Sequence, residues 1–133
     1  MTIGFIGVGN MGGALAAAVA KSGADLLLAD RDAAKTTALA EQLGATATDN
    51  ARVAGESEYI FLGVKPQVLP ALLEELKAPL AARKNPPVLV SMAAGFATER
   101  ITAGLGVAYP LIRIMPNTPA MVGEGMILYT AVH

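Results

Sequence analysis

Short apolar runs alternate along this chain with segments whose apolar positions recur at helical spacing, which predicts strands interleaved with helices. Residues 2–8 form a mostly apolar run that ends in glycines. The alanine-rich stretch 11–21 starts directly after them, so this opening predicts strand, tight turn and helix. Residues 25–30, DLLLAD, predict a second short strand. Asp32 then suits a helix N-cap, a helical segment runs through Leu43, and Gly44 suits its C-terminal stop.

Residues 59–64 predict another buried strand. Pro66 suits the first turn of the helix after it, in which Leu69, Leu72, Leu73 and Leu76 recur on one face and Pro70 is tolerated only near the start. Pro86 and Pro87 introduce a strand at 88–91, residues 98–103 predict a short helix, and residues 108–115 and 126–130 predict later strands. Parallel strands need crossover connections, and helices used as crossovers cover both faces of the sheet. The alternation therefore predicts an α/β domain with a doubly wound, mostly parallel sheet. No repeat, low-complexity tract or linker interrupts it, and the order of the strands is not readable.

Composition narrows the class. With 133 residues and 53% hydrophobic positions the chain is one domain, residues 1–133, with ample apolar surface for one core. Aromatics are only 5%, and small alanine side chains suit helices packed closely on a sheet better than an all-β sandwich. Ten basic residues against eleven acidic ones create no field that attracts a polyanion, which argues against nucleic acid as a partner. The absence of cysteine removes disulfides, thiolate metal sites and a thiol nucleophile. The N-terminal apolar run lacks a basic start and breaks at glycines well before membrane-spanning length, so no membrane is expected and the cytoplasm is the expected location.

The candidate chemistry gathers at the strand ends. Gly7-Val8-Gly9-Asn10-Met11-Gly12 is a G-x-G-x-x-G that follows a strand and opens a helix, the placement its mechanism demands. Gly7 permits the tight turn, Gly9 lets backbone approach a pyrophosphate, Gly12 allows helix and strand to pack closely, and the helix start offers unpaired N–H groups to the anion. This makes the sheet Rossmann-like. The competing reading is a chance glycine-rich turn.

Asp30 closes the second strand where an acidic residue would accept from adenosine ribose hydroxyls, which favours NAD. A 2'-phosphate beside it would meet repulsion of about 4 kcal/mol per unit charge at ~4 Å and an effective dielectric of ~20. Arg31 could offset that by gripping the phosphate, or Arg31 and Asp32 could simply be a solvated helix start. Both NAD(H) and NADP(H) stay open as cofactors.

Three more segments end on the same sheet edge: Val64-Lys65-Pro66-Gln67, Ser91-Met92-Ala93-Ala94-Gly95, and Met115-Pro116-Asn117-Thr118-Pro119. Ala93, Ala94 and Gly95 would let a flat ring or ribose lie against backbone, or they are an ordinary turn. Asn117 and Thr118 offer an amide and a hydroxyl between two prolines. Lys65 faces the cofactor or solvent with nearly equal weight. His133 is the only histidine and the last residue, so a histidine base, a Ser-His-Asp triad or a histidine metal site is not expected. Asp49, Glu56, Glu58, Glu74 and Glu75 read as solvated charges on helix or loop surfaces.

Taken in order, GVGNMG at 7–12, VKPQ at 64–67, SMAAG at 91–95 and RIMPNTPA at 113–120, followed by VGEG at 122–125, resemble the pyrroline-5-carboxylate reductases over essentially the whole chain. The last motif is much more specific than the glycine fingerprint. The resemblance implies reduction of the C=N bond of 1-pyrroline-5-carboxylate to L-proline by NAD(P)H, the final step of proline biosynthesis, on a small-molecule substrate in a homodimer or higher homo-oligomer. An imine that is protonated on transfer is already electrophilic, so positioning can replace a strong acid. By the same resemblance Gly7, Gly9, Asn10, Met11 and Gly12 hold the pyrophosphate, and Asp30, Arg31 and Asn50 lie near the adenosine ribose. Val64, Lys65, Pro66, Ala93, Ala94 and Gly95 line the nicotinamide side, while Met115, Asn117, Thr118 and Pro119 approach the nicotinamide and imine ring.

Two departures are notable. The family usually favours NADPH, which the acidic residue at position 30 opposes. It also carries a helical C-terminal domain that forms the dimer and grips the substrate, and the chain stops three residues after Thr130 without one. The expectation is a fragment that binds cofactor with little turnover and has no catalytic residue of its own. Rival readings are another reductase of the 6-phosphogluconate-dehydrogenase-like group, such as a β-hydroxyacid dehydrogenase, and a non-catalytic NAD(P)-binding module.

Overall fold

A computed structural model describes residues 1–92, 98–116 and 126–132 of the chain. Among these, β1 (Thr2–Ile6), α1 (Asn10–Ala20), β2 (Asp25–Ala29), α2 (Ala33–Leu43), β3 (Thr46–Ala47), α3 (Asn50–Glu56), β4 (Tyr59–Leu62), α4 (Leu69–Ala81), β5 (Val88–Ser91), α5 (Thr98–Leu105), β6 (Leu111–Pro116) and β7 (Met126–Val132) follow one another. The strands form one sheet in the order β3-β2-β1-β4-β5-β6-β7. Every pair is parallel except β6 with β7, which is antiparallel. The predicted Rossmann-like α/β architecture is borne out.

Strand alternation builds two cores from one sheet, because successive side chains point to opposite faces. Phe5, Leu28, Phe61, Val90 and Ile114 face α1 and α2, and the rings of the paired residues Phe5 and Phe61 stack with centroids 4.5 Å apart. Ile6, Leu27, Ile60, Leu62 and Leu89 face α3, α4 and α5, where Leu69, Leu72, Leu73, Leu76 and Leu80 bury the apolar stripe of α4. Burying side chains on both faces explains why these strands read as continuous apolar runs.

Helix ends follow local chemistry. Asp32 caps α2 by accepting from Lys35 N–H at 3.0 Å, and Gly44 stops it in the left-handed conformation with φ of 70°. Two elements lay unread in residues 45–58: the two-residue β3, and α3, which Asp49 caps by accepting from Arg52 N–H at 2.8 Å. The helix after β4 begins later than expected. Pro66 sits in the preceding turn, where its carbonyl accepts from Leu69 N–H at 3.2 Å, and Pro70 takes the first turn, where its missing N–H costs nothing. Arg83, beyond α4, straps α3 down by donating to the carbonyls of Ala54 and Ser57. Burial lowers its pKa, and Glu58 and then Tyr109 oppose that shift.

The chain winds outward from β1 to β3 and then crosses to β4 on the other side of β1. That reversal opens a crevice at the C-terminal ends of β1 and β4, where open α/β sheets take their ligands.

Candidate dinucleotide site

The floor of the crevice is two glycine turns set back to back. Gly7 leaves β1 with φ of 92°, and a side chain there would bring its first carbon within 2.7 Å of the backbone of Gly63 and Val64. Gly63 is as confined, since a carbon added to it would lie 2.6 Å from the carbonyl oxygen of Gly7. Gly12 packs α1 onto the same carbonyl, with which an added carbon would collide. Gly9 differs, because a carbon there would meet nothing within 4 Å. The protein's own packing thus explains glycine at positions 7, 12 and 63, and leaves position 9 open toward the crevice.

Gly9 is also the N-cap of α1. It gives the helix no side-chain hydrogen bond, and no acidic residue stands in the first turn, so the N–H groups of that turn are not capped by a side chain. They carry the positive end of the helix dipole.

Above this floor lies a cleft of about 660 Å³. Gly7, Gly9, Asp30, Arg31, Asn50, Val64 and Lys65, all singled out from the sequence, line it. Gly12 lies behind the glycine turn and Pro66 frames the β4–α4 turn, and neither is among the lining residues. Asn10 and Met11 contribute the first backbone groups of α1. Met115 falls in β6 at the same sheet edge, whereas Ala93, Ala94, Gly95, Asn117, Thr118, Pro119 and His133 lie outside the described residues.

Gln67, named from the sequence only as part of the strand-end segment 64–67, and residues not expected in the site complete the walls. Lys35, in the first turn of α2, lines the cleft together with Arg31, which lies just before the N-cap Asp32. Gln67, in the turn before α4, and Val68, its N-cap, line the α4 side with Ala71, Leu72 and Glu75, and positions 68, 71, 72 and 75 share one helix face. Glu75 is exposed on the surface of α4, as expected, and its Oε2 also accepts from Asn50 Nδ2 at 2.9 Å. Glu56 and Glu74 also belong to the surface, paired with Arg52 at 3.1 Å and Lys77 at 2.8 Å.

Asp30 is held rather than free. Its Oδ2 accepts from Val8 N–H at 2.7 Å and its Oδ1 from Asp32 N–H at 3.0 Å, so the carboxylate joins the glycine turn to the start of α2. Among the described residues no His, Cys, Asp and Glu side chains cluster as a metal site, and no helix is long and apolar enough to cross a membrane.

Known proteins share this arrangement. The pyrroline-5-carboxylate reductase of Haemophilus influenzae is 38% identical over 128 residues, covering 93% of this chain and 46% of the relative. The structure of a pyrroline-5-carboxylate reductase from Coxiella burnetii superposes with a TM-score of 0.83 at 32% identity, over 98% of this chain and 50% of that one. An imine reductase from Myxococcus stipitatus in complex with NADP+ gives 0.73 at 30% identity, over 91% of this chain and 43% of that one. The chain spans about half the length of the curated relatives it matches. These similarities bear out the resemblance read from the four motifs. A family model described as NADP oxidoreductase coenzyme F420-dependent matches residues 2–95, from β1 to beyond β5, and the chain therefore belongs to that family.

Proposed function

We propose that the chain is the dinucleotide-binding domain, residues 1–133, of a reductase that passes hydride from NAD(P)H to the C=N carbon of 1-pyrroline-5-carboxylate, giving L-proline. The observation that carries this reading is the meeting of two features on one cleft: a helix start without a side-chain cap, and open space at Gly9 where a side chain would meet no protein atom. Both suit a pyrophosphate approaching backbone N–H groups closely. Residue types on the walls fit the rest of a dinucleotide, with cations at Arg31, Lys35 and Lys65 and an apolar strip on α4.

When bound, the nicotinamide supplies the hydride, and the chain's residues bind and orient. The backbone of Gly7, Gly9, Asn10, Met11 and Gly12 holds the pyrophosphate. Arg31 and Lys35 meet the 2'-position of the adenosine ribose, with Asn50 on the opposite side. Val64, Lys65 and Pro66 guide the chain of the cofactor toward the nicotinamide, which Ala93, Ala94 and Gly95 border. Met115, Asn117, Thr118 and Pro119 approach the imine ring. A protonated imine needs position more than acid, which suits a set of residues without a histidine base. Substrate grip and dimer formation belong to a further helical domain of the whole protein, which is placed in the cytoplasm on this reading.

The test is a thermal melt of the chain with NADH and NADPH in parallel, followed by NADPH oxidation at 340 nm with 1-pyrroline-5-carboxylate. A ligand bound only by the folded state raises the melting temperature. Stabilisation by either cofactor with little oxidation is the expected result, and no shift with either would defeat the proposal.

A further inference from the structure

We infer that Met92 is a positioning residue for the cofactor: its terminal methyl props the start of α1 at the height that lets the N–H groups of that turn meet a pyrophosphate. The inference rests on the dinucleotide reading above. Met92 follows β5, packs against the core on the α1 and α2 side, and is not among the residues that line the cleft, so it acts from beneath. Its Cε lies 2.7 Å from the point that a first side-chain carbon on Gly63 would take, and 3.8 Å from the corresponding point on Gly12. The methyl therefore fills the gap left by two glycines, one following β4 and one in the first turn of α1.

Two features make this more than core filling. Carbons added at Gly12 and at Gly63 would also both run into the carbonyl oxygen of Gly7, so Gly7, Gly12, Gly63 and the Met92 methyl meet under the helix start. Met92 is also fixed at its root, where its N–H donates to the Leu62 carbonyl at 3.3 Å and holds the end of β5 beside the turn into Gly63. With the root held and the methyl in the gap, the length of the side chain between them sets how far the start of α1 stands from the sheet. Methionine is unbranched and reaches into a slot that leucine, one atom shorter, does not fill. Hydrogen bonds weaken steeply with misalignment, so a small settling of this turn is felt first in its contacts to the pyrophosphate.

Calorimetric titration of the intact chain with NADPH and with adenosine 2'-monophosphate, which has no pyrophosphate, tests this. Met92→Ala should weaken NADPH about tenfold, equivalent to one charge-assisted hydrogen bond, and leave the monophosphate unchanged. Met92→Leu nearly conserves volume and should melt close to the parent, yet still bind NADPH several-fold more weakly, which separates positioning from any loss of folding. Unchanged NADPH binding in both variants overturns the inference, as does an equal loss of the two ligands. Failure of the parent to bind NADPH would defeat the dinucleotide reading itself, and the inference with it.

Discussion

The carboxylate of Asp30 accepts a hydrogen bond from the backbone N–H of Val8 at 2.7 Å, fastening the end of β2 to a glycine turn 22 residues earlier in the chain. Its other oxygen accepts from Asp32 N–H at 3.0 Å. Each oxygen thus already has a donor from the protein. An acidic residue at this place reads from sequence as an acceptor for ribose hydroxyls, but here it is also a clasp on the glycine turn. Asp30→Ala is expected to destabilise the chain by about 2 kcal/mol, typical of a hydrogen bond to a charged group, and to weaken NADH and NADPH by similar factors. Denaturant melts and titrations with both cofactors check this. Selective loss of NADH binding would instead mark Asp30 as mainly a ribose acceptor.

With Asp30 engaged, the cations beside it are the candidates for choosing between NADH and NADPH. Arg31 and Lys35 line the same corner of the cleft. The double variant Arg31→Ala, Lys35→Ala should lose about tenfold or more in NADPH affinity, since charge-assisted contacts to phosphate are among the stronger hydrogen bonds, and should change NADH affinity far less. Parallel loss of both would place the pair at the pyrophosphate.

Gly9 and Gly12 should respond differently to alanine. The carbon added at Gly9 meets nothing, so Gly9→Ala should melt close to the parent yet bind either dinucleotide much more weakly. The carbon added at Gly12 collides with the Gly7 carbonyl, so Gly12→Ala should lower the melting temperature before any ligand is added. Melting curves with and without NADPH separate the two.

Ser57 offers a gain in stability. It is fully buried, and its hydroxyl has no hydrogen-bond partner among the described residues. Replacing an unsatisfied buried hydroxyl by a methyl removes a desolvation cost, so Ser57→Ala should stabilise by about 1 kcal/mol. Urea unfolding of parent and variant measures it, and destabilisation would mean that the hydroxyl has a partner in solution.

Sequence periodicity reached most of the fold because strands buried on both faces are unbroken apolar runs, and because glycine and aspartate mark helix ends by mechanism. Gly44 and Asp32 were legible for that reason, as was the turn at Gly7. β3 was not, since Thr46 and Ala47 are both exposed and leave no apolar run. α3 was overlooked although Asp49 signals its cap, because only Val53 and Ala54 are buried along it. In the site, residues on strand ends could be read in order, but the bond from Asn50 to Glu75 could not. A partner 25 positions away leaves no local pattern.

Because β7 runs antiparallel to β6, Val132 lies opposite Leu111 at the start of β6, at the same sheet edge from which Thr2 begins β1. Gly7 and the cleft lie at the other edge. A tether joined at either of these positions therefore holds the molecule with its opening turned outward. A support attached at either position would lie on the side of the sheet away from Gly9.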